Sequence, residues 1–225
     1  MLHVAWEKQM KHFGKKLVFG FLISFLIVLQ SYAETDLQHI QRIASQSGLD
    51  PKIVELAFKA QHWAERETNV NKNILAIINY SQPAITPRFY IINLKNDQLI
   101  QKTLVAHGRG SGAPNAVPHY FSNDFRSSAS SLGVFVAGEA YYGGHGFSRR
   151  LIGLEPAINS NAEKRTIVMH PASYVNNNFV GRSLGCLALN PAQATTIIKT
   201  LVPGTVIFAY ASPENKDPNI LAAPI

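Results

Sequence analysis

The chain has 225 residues, 46% of them hydrophobic, with 21 Lys and Arg against 14 Asp and Glu for a formal net charge of +7. That size suits one catalytic-sized domain with a small appendage, and the apolar content excludes a disordered or low-complexity chain. The charge is front-loaded: without residues 1–33, which hold four lysines and one glutamate, the net charge falls to +4, and a nucleic-acid partner loses most of its support.

The first element is "MLHVAWEKQMKHFGKK", a basic stretch, followed by "LVFGFLISFLIVL", an apolar run of 13. Small residues follow at Ser31 and Ala33. The run is short of the about 20 residues that span a membrane, so residues 1–33 read as a secretory signal peptide cleaved after Ala33. The expectation is an exported, periplasmic protein; an uncleaved inner-membrane anchor is the alternative reading.

Residues 34–72 read as a helical N-terminal segment. In "SGLDPKIVELAFKAQHWAERE" Asp50 is the expected N-cap and Pro51 the first helical residue, with apolar residues recurring at helical spacing from Ile53 to Ala64. From residue 73 the texture becomes β-branched and aromatic. Strands are expected at 74–80, 89–94, 99–108, 132–143, 165–170 and 205–211, with 89–108 forming a hairpin. "NPAQATTIIKTL" predicts one later helix, capped by Asn190 with Pro191 at its first turn. The organisation expected is therefore a predominantly β (α+β) catalytic domain over 73–211, followed by an irregular tail at 212–225.

Chemistry concentrates at the end of this domain. Cys186, in "GRSLGCLALN", is the only cysteine. Exported domains that use cysteine structurally use it in pairs, so a lone thiol is either a small buried hydrophobe or a working group. A free thiol ionises near about 8.5 and needs a base to react at neutral pH. His170 closes the predicted strand "RTIVMH", 16 positions upstream; a histidine there can take the thiol proton and hold an ion pair. Gly185 lets the backbone turn sharply beside the cysteine, and backbone N–H groups of this loop, its own included, are the expected oxyanion donors.

"SLGC" resembles the S-x-G-C signature of the L,D-transpeptidase catalytic domain family. The likeness is closest to the murein branch, with "HGRGSG", "YFSN", "SSLGVF", "GGHGFSRRLIGLE", "RTIVMHPASYV" and "GRSLGC" in the expected order across residues 73–211. It implies a mixed β-sandwich of the YkuD-like type, with a helical N-terminal extension and one helix after the catalytic loop. It also implies a peptidoglycan L,D-transpeptidase. Cys186 would form a thioester with the third residue of a tetrapeptide stem and release D-alanine, with His170 as base and the Pro171 carbonyl orienting its ring. The acyl acceptor would be an amine of another stem or a lipoprotein lysine, or water in a carboxypeptidase. The chain departs from the family pattern at Leu184, Leu187 and Ala188, the last standing where many members carry an arginine.

The stem carboxylate then needs another partner, and Arg182, Arg109, Arg149 and Arg150 are the candidates. His107 and His145, in glycine-rich blocks, are expected to face the substrate, and Ser183 is grouped with them although a hydrogen bond within its own loop is the simpler use. Tyr141, Tyr142 and Phe147 are candidates for the wall of the cleft or for core. No cofactor or metal is expected. The competing classes are a zinc hydrolase using His107, His119, His145 and His170, for which no H-E-x-x-H appears, and a non-catalytic wall-binding module.

Overall fold

The computed structural model describes residues 36–212; the leader and cleavage site, and the tail from 213, lie outside the described residues. No helix among the described residues is long and apolar enough to cross a membrane. Residues 36–47 are helical, and α1 (Pro51–Glu67) follows, begun by the cap expected: Asp50 accepts from the Lys52 amide at 2.8 Å with Pro51 behind it. Its buried stripe, including Ile53, Val54, Ala57 and Phe58, packs on strands β1 (Asn71–Asn79) and β12 (Thr205–Tyr210).

Eight strands form one curled sheet of mixed direction, in the order β11 (Leu187–Leu189), β7 (Val168–Pro171), β6 (Gly146–Gly153), β5 (Gly133–Gly143), β12, β1, β2 (Phe89–Asn93) and β3 (Gln98–Thr103). β2 and β3 make the antiparallel hairpin expected. β2, β12 and the second half of β1 are buried on both faces and therefore read as continuous apolar runs, whereas edge strand β3 alternates. β5 and β6 form a second hairpin. Its inner half is buried, and beyond the register shift between Ala137 and Ala140 its tip runs out into solvent. β6 is not predicted from sequence, because "GFSRRLIG" has glycine at both ends and two arginines in the middle. One of them, Arg149, is buried: Nε and Nη2 donate to the Ile198 carbonyl, and Nη1 donates to that of Gly138. Ile198 lies in the last turn of α2 (Pro191–Thr200), so Arg149 serves a carbonyl that the helix leaves unpaired.

α2, capped by Asn190 onto the Ala192 amide at 3.0 Å, follows β11 and packs on β6 and β7. Ile78, Phe89, Phe135, Leu151, Ile197 and Ile207 belong to the main core. The stretch expected as one strand over 99–108 is broken. β3 ends at Thr103, and Leu104 and Ala106 leave the sheet to join a second cluster with Val175, Val180 and Ala188 before β4 (His107–Gly108) begins.

Glu155, just after β6, is buried with Oε1 accepting from the Val134 amide, and Oε2 makes no hydrogen bond. Burial pushes its carboxyl up to about 7. The folded chain thus holds this proton more tightly than the unfolded chain, a stabilisation present at low pH and lost as pH rises towards 7. Glu155→Gln is therefore expected to be more stable than wild type at pH 8, by on the order of 1–3 kcal/mol. The advantage should be gone at about pH 4.5 in denaturant titrations, and an equal advantage at both pH values would refute the assignment.

Candidate active site

The cysteine loop is assembled between two strands far apart in sequence. β10 (Arg182–Ser183) pairs in parallel with β4, placing Arg182 opposite His107 and Ser183 opposite Gly108. The pairing is extended at both ends, by the Arg109 amide on the Ser183 carbonyl (2.8 Å) and the Ala106 amide on the Ala188 carbonyl (3.0 Å). Within the loop the Ser183 hydroxyl donates to the Cys186 carbonyl at 2.8 Å and accepts from the Gly185 amide at 3.1 Å. Gly185 has φ +119°, and a Cβ there would stand 2.7 Å from the Ala129 carbonyl oxygen. Only glycine meets both demands at once.

On the other flank, β11 pairs in parallel with β7, with Ala188 opposite His170. Cys186, one residue before β11, therefore comes beside the start of β7. Its thiol is half-buried and donates to the Thr166 carbonyl at 3.6 Å. Burial pushes the Cys186 thiol up, while the Val168 amide and the Arg165 guanidinium push it back. His170 is buried, and its Nδ1–H donates to the Pro171 carbonyl at 2.9 Å. That bond selects the tautomer and leaves Nε2 as the ring's basic atom. Burial, opposed by the Pro171 bond and reinforced by the nearby His145, holds the imidazole below its usual range. Both shifts favour the neutral forms, thiol and imidazole.

His145 reaches this site from the exposed tip of the β5–β6 hairpin. Its ring stacks on that of His170, with centroids 4.4 Å apart and planes at 28°.

The family model described as the L,D-transpeptidase catalytic domain matches residues 45–210, nearly three quarters of the chain. The chain belongs to the L,D-transpeptidase catalytic domain family. Among solved structures it is similar to an L,D-transpeptidase from Mycobacterium smegmatis, at 14% identity and a TM-score of 0.38 over 62% of this chain and 59% of that one. It is also similar to one from Stackebrandtia nassauensis, at 12% and 0.38 over 78% of each, and to one from Xylanimonas cellulosilytica, at 13% and 0.38 over 75% and 77%. The chain thus spans less than two thirds of the M. smegmatis protein. No curated protein sequence matches it. The L,D-transpeptidase match begins at residue 45, so it takes in α1 as well as the sheet.

Several residues singled out for this L,D-transpeptidase domain fall elsewhere than expected. His107 does not face a substrate. It is fully buried, with Arg88 Nη2 donating to its Nδ1 at 3.0 Å and its Nε2–H donating to the Ala113 carbonyl at 3.1 Å. Burial and the Arg88 charge hold it down at about 4, leaving a neutral ring with no free nitrogen for a substrate or a metal. Ser183 is likewise buried and committed to its own loop. Gly185's amide is occupied by Ser183 Oγ, which removes it as an oxyanion donor. Arg149 has no free donor face, for the reason given above.

Of the four candidate arginines, the other three are exposed. Arg109 follows β4, Arg182 lies in β10 with Nη1 on the Gly112 carbonyl at 3.4 Å, and Arg150 sits over the Tyr141 ring at 4.7 Å. Tyr142, 84% exposed, belongs to no core and pairs with Phe147 at 5.1 Å; Leu184, in the cysteine loop itself, is 60% exposed. Among the described residues no three His, Cys, Asp or Glu side chains converge as a metal set. Sequence reasoning missed Arg88 and Arg165, since an arginine before an apolar strand ordinarily reads as a surface charge.

Proposed function

We propose that the chain is a cysteine acyltransferase acting on peptidoglycan stems, an L,D-transpeptidase exported to the periplasm by residues 1–33. The reading rests chiefly on one observation: the committed His170 tautomer on the strand that neighbours the half-exposed Cys186. In the acylation step the Cys186 Sγ–H proton passes to His170 Nε2 as sulfur bonds to the carbonyl carbon of the stem's third residue. The tetrahedral oxyanion takes its hydrogen bond from the Cys186 amide, since the Gly185 amide is engaged. Collapse breaks the C–N bond to D-alanine, and His170 returns the proton to the leaving amine. An acceptor amine then attacks the thioester, the S–C bond breaks, and the thiol is regenerated. Arg109, Arg182 and Arg150 supply exposed guanidinium groups for stem carboxylates. A stem amine or a lipoprotein lysine serves as acceptor.

Mass spectrometry of muropeptides from sacculi treated with wild type or Cys186→Ala tests this reading. Wild type is expected to yield third-to-third-residue links and free D-alanine, and the variant neither. Shortened stems without links would make the enzyme a hydrolase of the same substrate. Unchanged sacculi, together with no covalent carbapenem adduct on the wild-type thiol, would leave a wall-binding module.

A further inference from the structure

A thiolate forming at Cys186 finds no cation on its own strand, because Leu187, Ala188 and Leu189 are apolar and buried. A positive charge comes instead from the turn before β7. Arg165 is held by four acceptors: Nη1 donates to the Ser122 carbonyl and to Ser131 Oγ, both at 2.8 Å, and Nη2 donates to the Ala129 carbonyl at 2.6 Å and to Ser127 Oγ at 3.3 Å. All four are neutral. No carboxylate lies within ion-pair distance of it among the described residues. The group is thus a partly buried cation whose hydrogen bonds are met and whose charge has no carboxylate within ion-pair distance, an arrangement that favours an anion nearby.

Two relations in the structure bring that charge to the cysteine loop. Nη2 stands 3.1 Å from the point where a Gly185 Cβ would be, and Thr166, the next residue after Arg165, gives its carbonyl to Sγ. We propose that Arg165 supplies the positive charge that balances the Cys186 thiolate, acting as a positioning residue through space. The proposal rests on the acyl-transfer reading of Cys186. Arg165 is the charged side chain that offsets the effect of burial on the thiol. The other titratable groups around it are Tyr80 and Tyr174, both pushed up by burial and so neutral, and the neutral His170 stacked by His145. Asp124 acts on Arg165 from the 122–131 loop, after Cys186 in strength.

The test is the pH dependence of Cys186 alkylation by iodoacetamide, which needs no peptidoglycan. Arg165→Gln is expected to raise the midpoint by about one pH unit and to slow alkylation at neutral pH by about tenfold. Arg165→Lys, whose ammonium falls short of the guanidinium position, should give a smaller rise. Ser131→Ala, which removes one acceptor of Arg165 and the Ser131 hydrogen bond to the Ser122 carbonyl but keeps the charge, should leave the midpoint in place. A wild-type midpoint in Arg165→Gln, or in Arg165→Lys should the glutamine variant fail to fold, overturns the proposal. So does a shift in Ser131→Ala as large as that of the arginine variants. If these shifts appear while sacculi are left unchanged by wild type, the charge pairing stands and the transpeptidase reading falls.

Discussion

Replacing His170 with glutamine is expected to slow thiol acylation by about a hundred- to ten-thousand-fold at neutral pH, the range for loss of a positioned general base. The pH profile carries more information than the rate. As the proposed base His170 works only when neutral, and burial holds it below its usual range. The acid limb should therefore fall at lower pH than for an ordinary histidine, with a plateau above it. In His170→Gln no group collects the proton, and reaction depends on the thiolate formed by direct ionisation. Burial has moved that ionisation above the usual thiol range, so the plateau should vanish. The rate should instead climb about tenfold per pH unit into alkaline solution. Carbapenem acylation followed by mass spectrometry across pH measures both limbs. A variant that keeps the wild-type plateau would remove His170 from the reaction.

The second large effect concerns stability. Arg88 is fully buried and lies over the Tyr80 ring at 4.9 Å. Its Nε and Nη2 donate to the Val105 carbonyl at 3.3 and 3.0 Å, Nη1 donates to that of Gln82 at 2.7 Å, and Nη2 also donates to His107 Nδ1. Burial lowers it to about 10, so it stays charged at neutral pH. Arg88→Met would keep much of the volume and leave these buried acceptors without a donor, at about 1–3 kcal/mol each. After partial relaxation the expected loss is about 3–5 kcal/mol in a denaturant titration. Arg88→Lys should recover little, because one ammonium cannot serve acceptors set for a fork. Arg88→Met, which also removes the charge, should let His107 take a proton above its present value of about 4, which nuclear magnetic resonance would follow. A loss under about 1 kcal/mol would mean that water replaces the guanidinium.

Local signals carried much of the architecture. Asp50–Pro51 and Asn190–Pro191 set both helix starts, because a cap and its proline act within one turn and need no tertiary partner. "ILAIINY", "FYIINL" and "TVIFAYA" announced the central strands, since two-sided burial demands unbroken apolar runs. β6 was hidden because its arginine became a core residue only once the carbonyl of Ile198 reached it. The division between β3 and β4 was hidden too. Leu104, Val105 and Ala106 look like more strand, yet Leu104 and Ala106 turn to a second cluster and Val105 gives its carbonyl to Arg88.

The two glycine-flanked histidines draw the line most clearly. "AHGRG" and "GHGFS" are locally alike, and both read as substrate-facing; one ring is sealed against Arg88 and the other lies open on a hairpin tip against His170. The amino-acid order by itself determined the single thiol, the histidine that ends a strand, the helix caps and the family's run of blocks, all of which are properties of residue type and near spacing. Folding alone decided which charges have partners. Whether an arginine is solvated, serves a helix end, or is held beside the cysteine loop depends on desolvation and on acceptors brought from 36 or 49 positions away, and neither is written in the residues beside it.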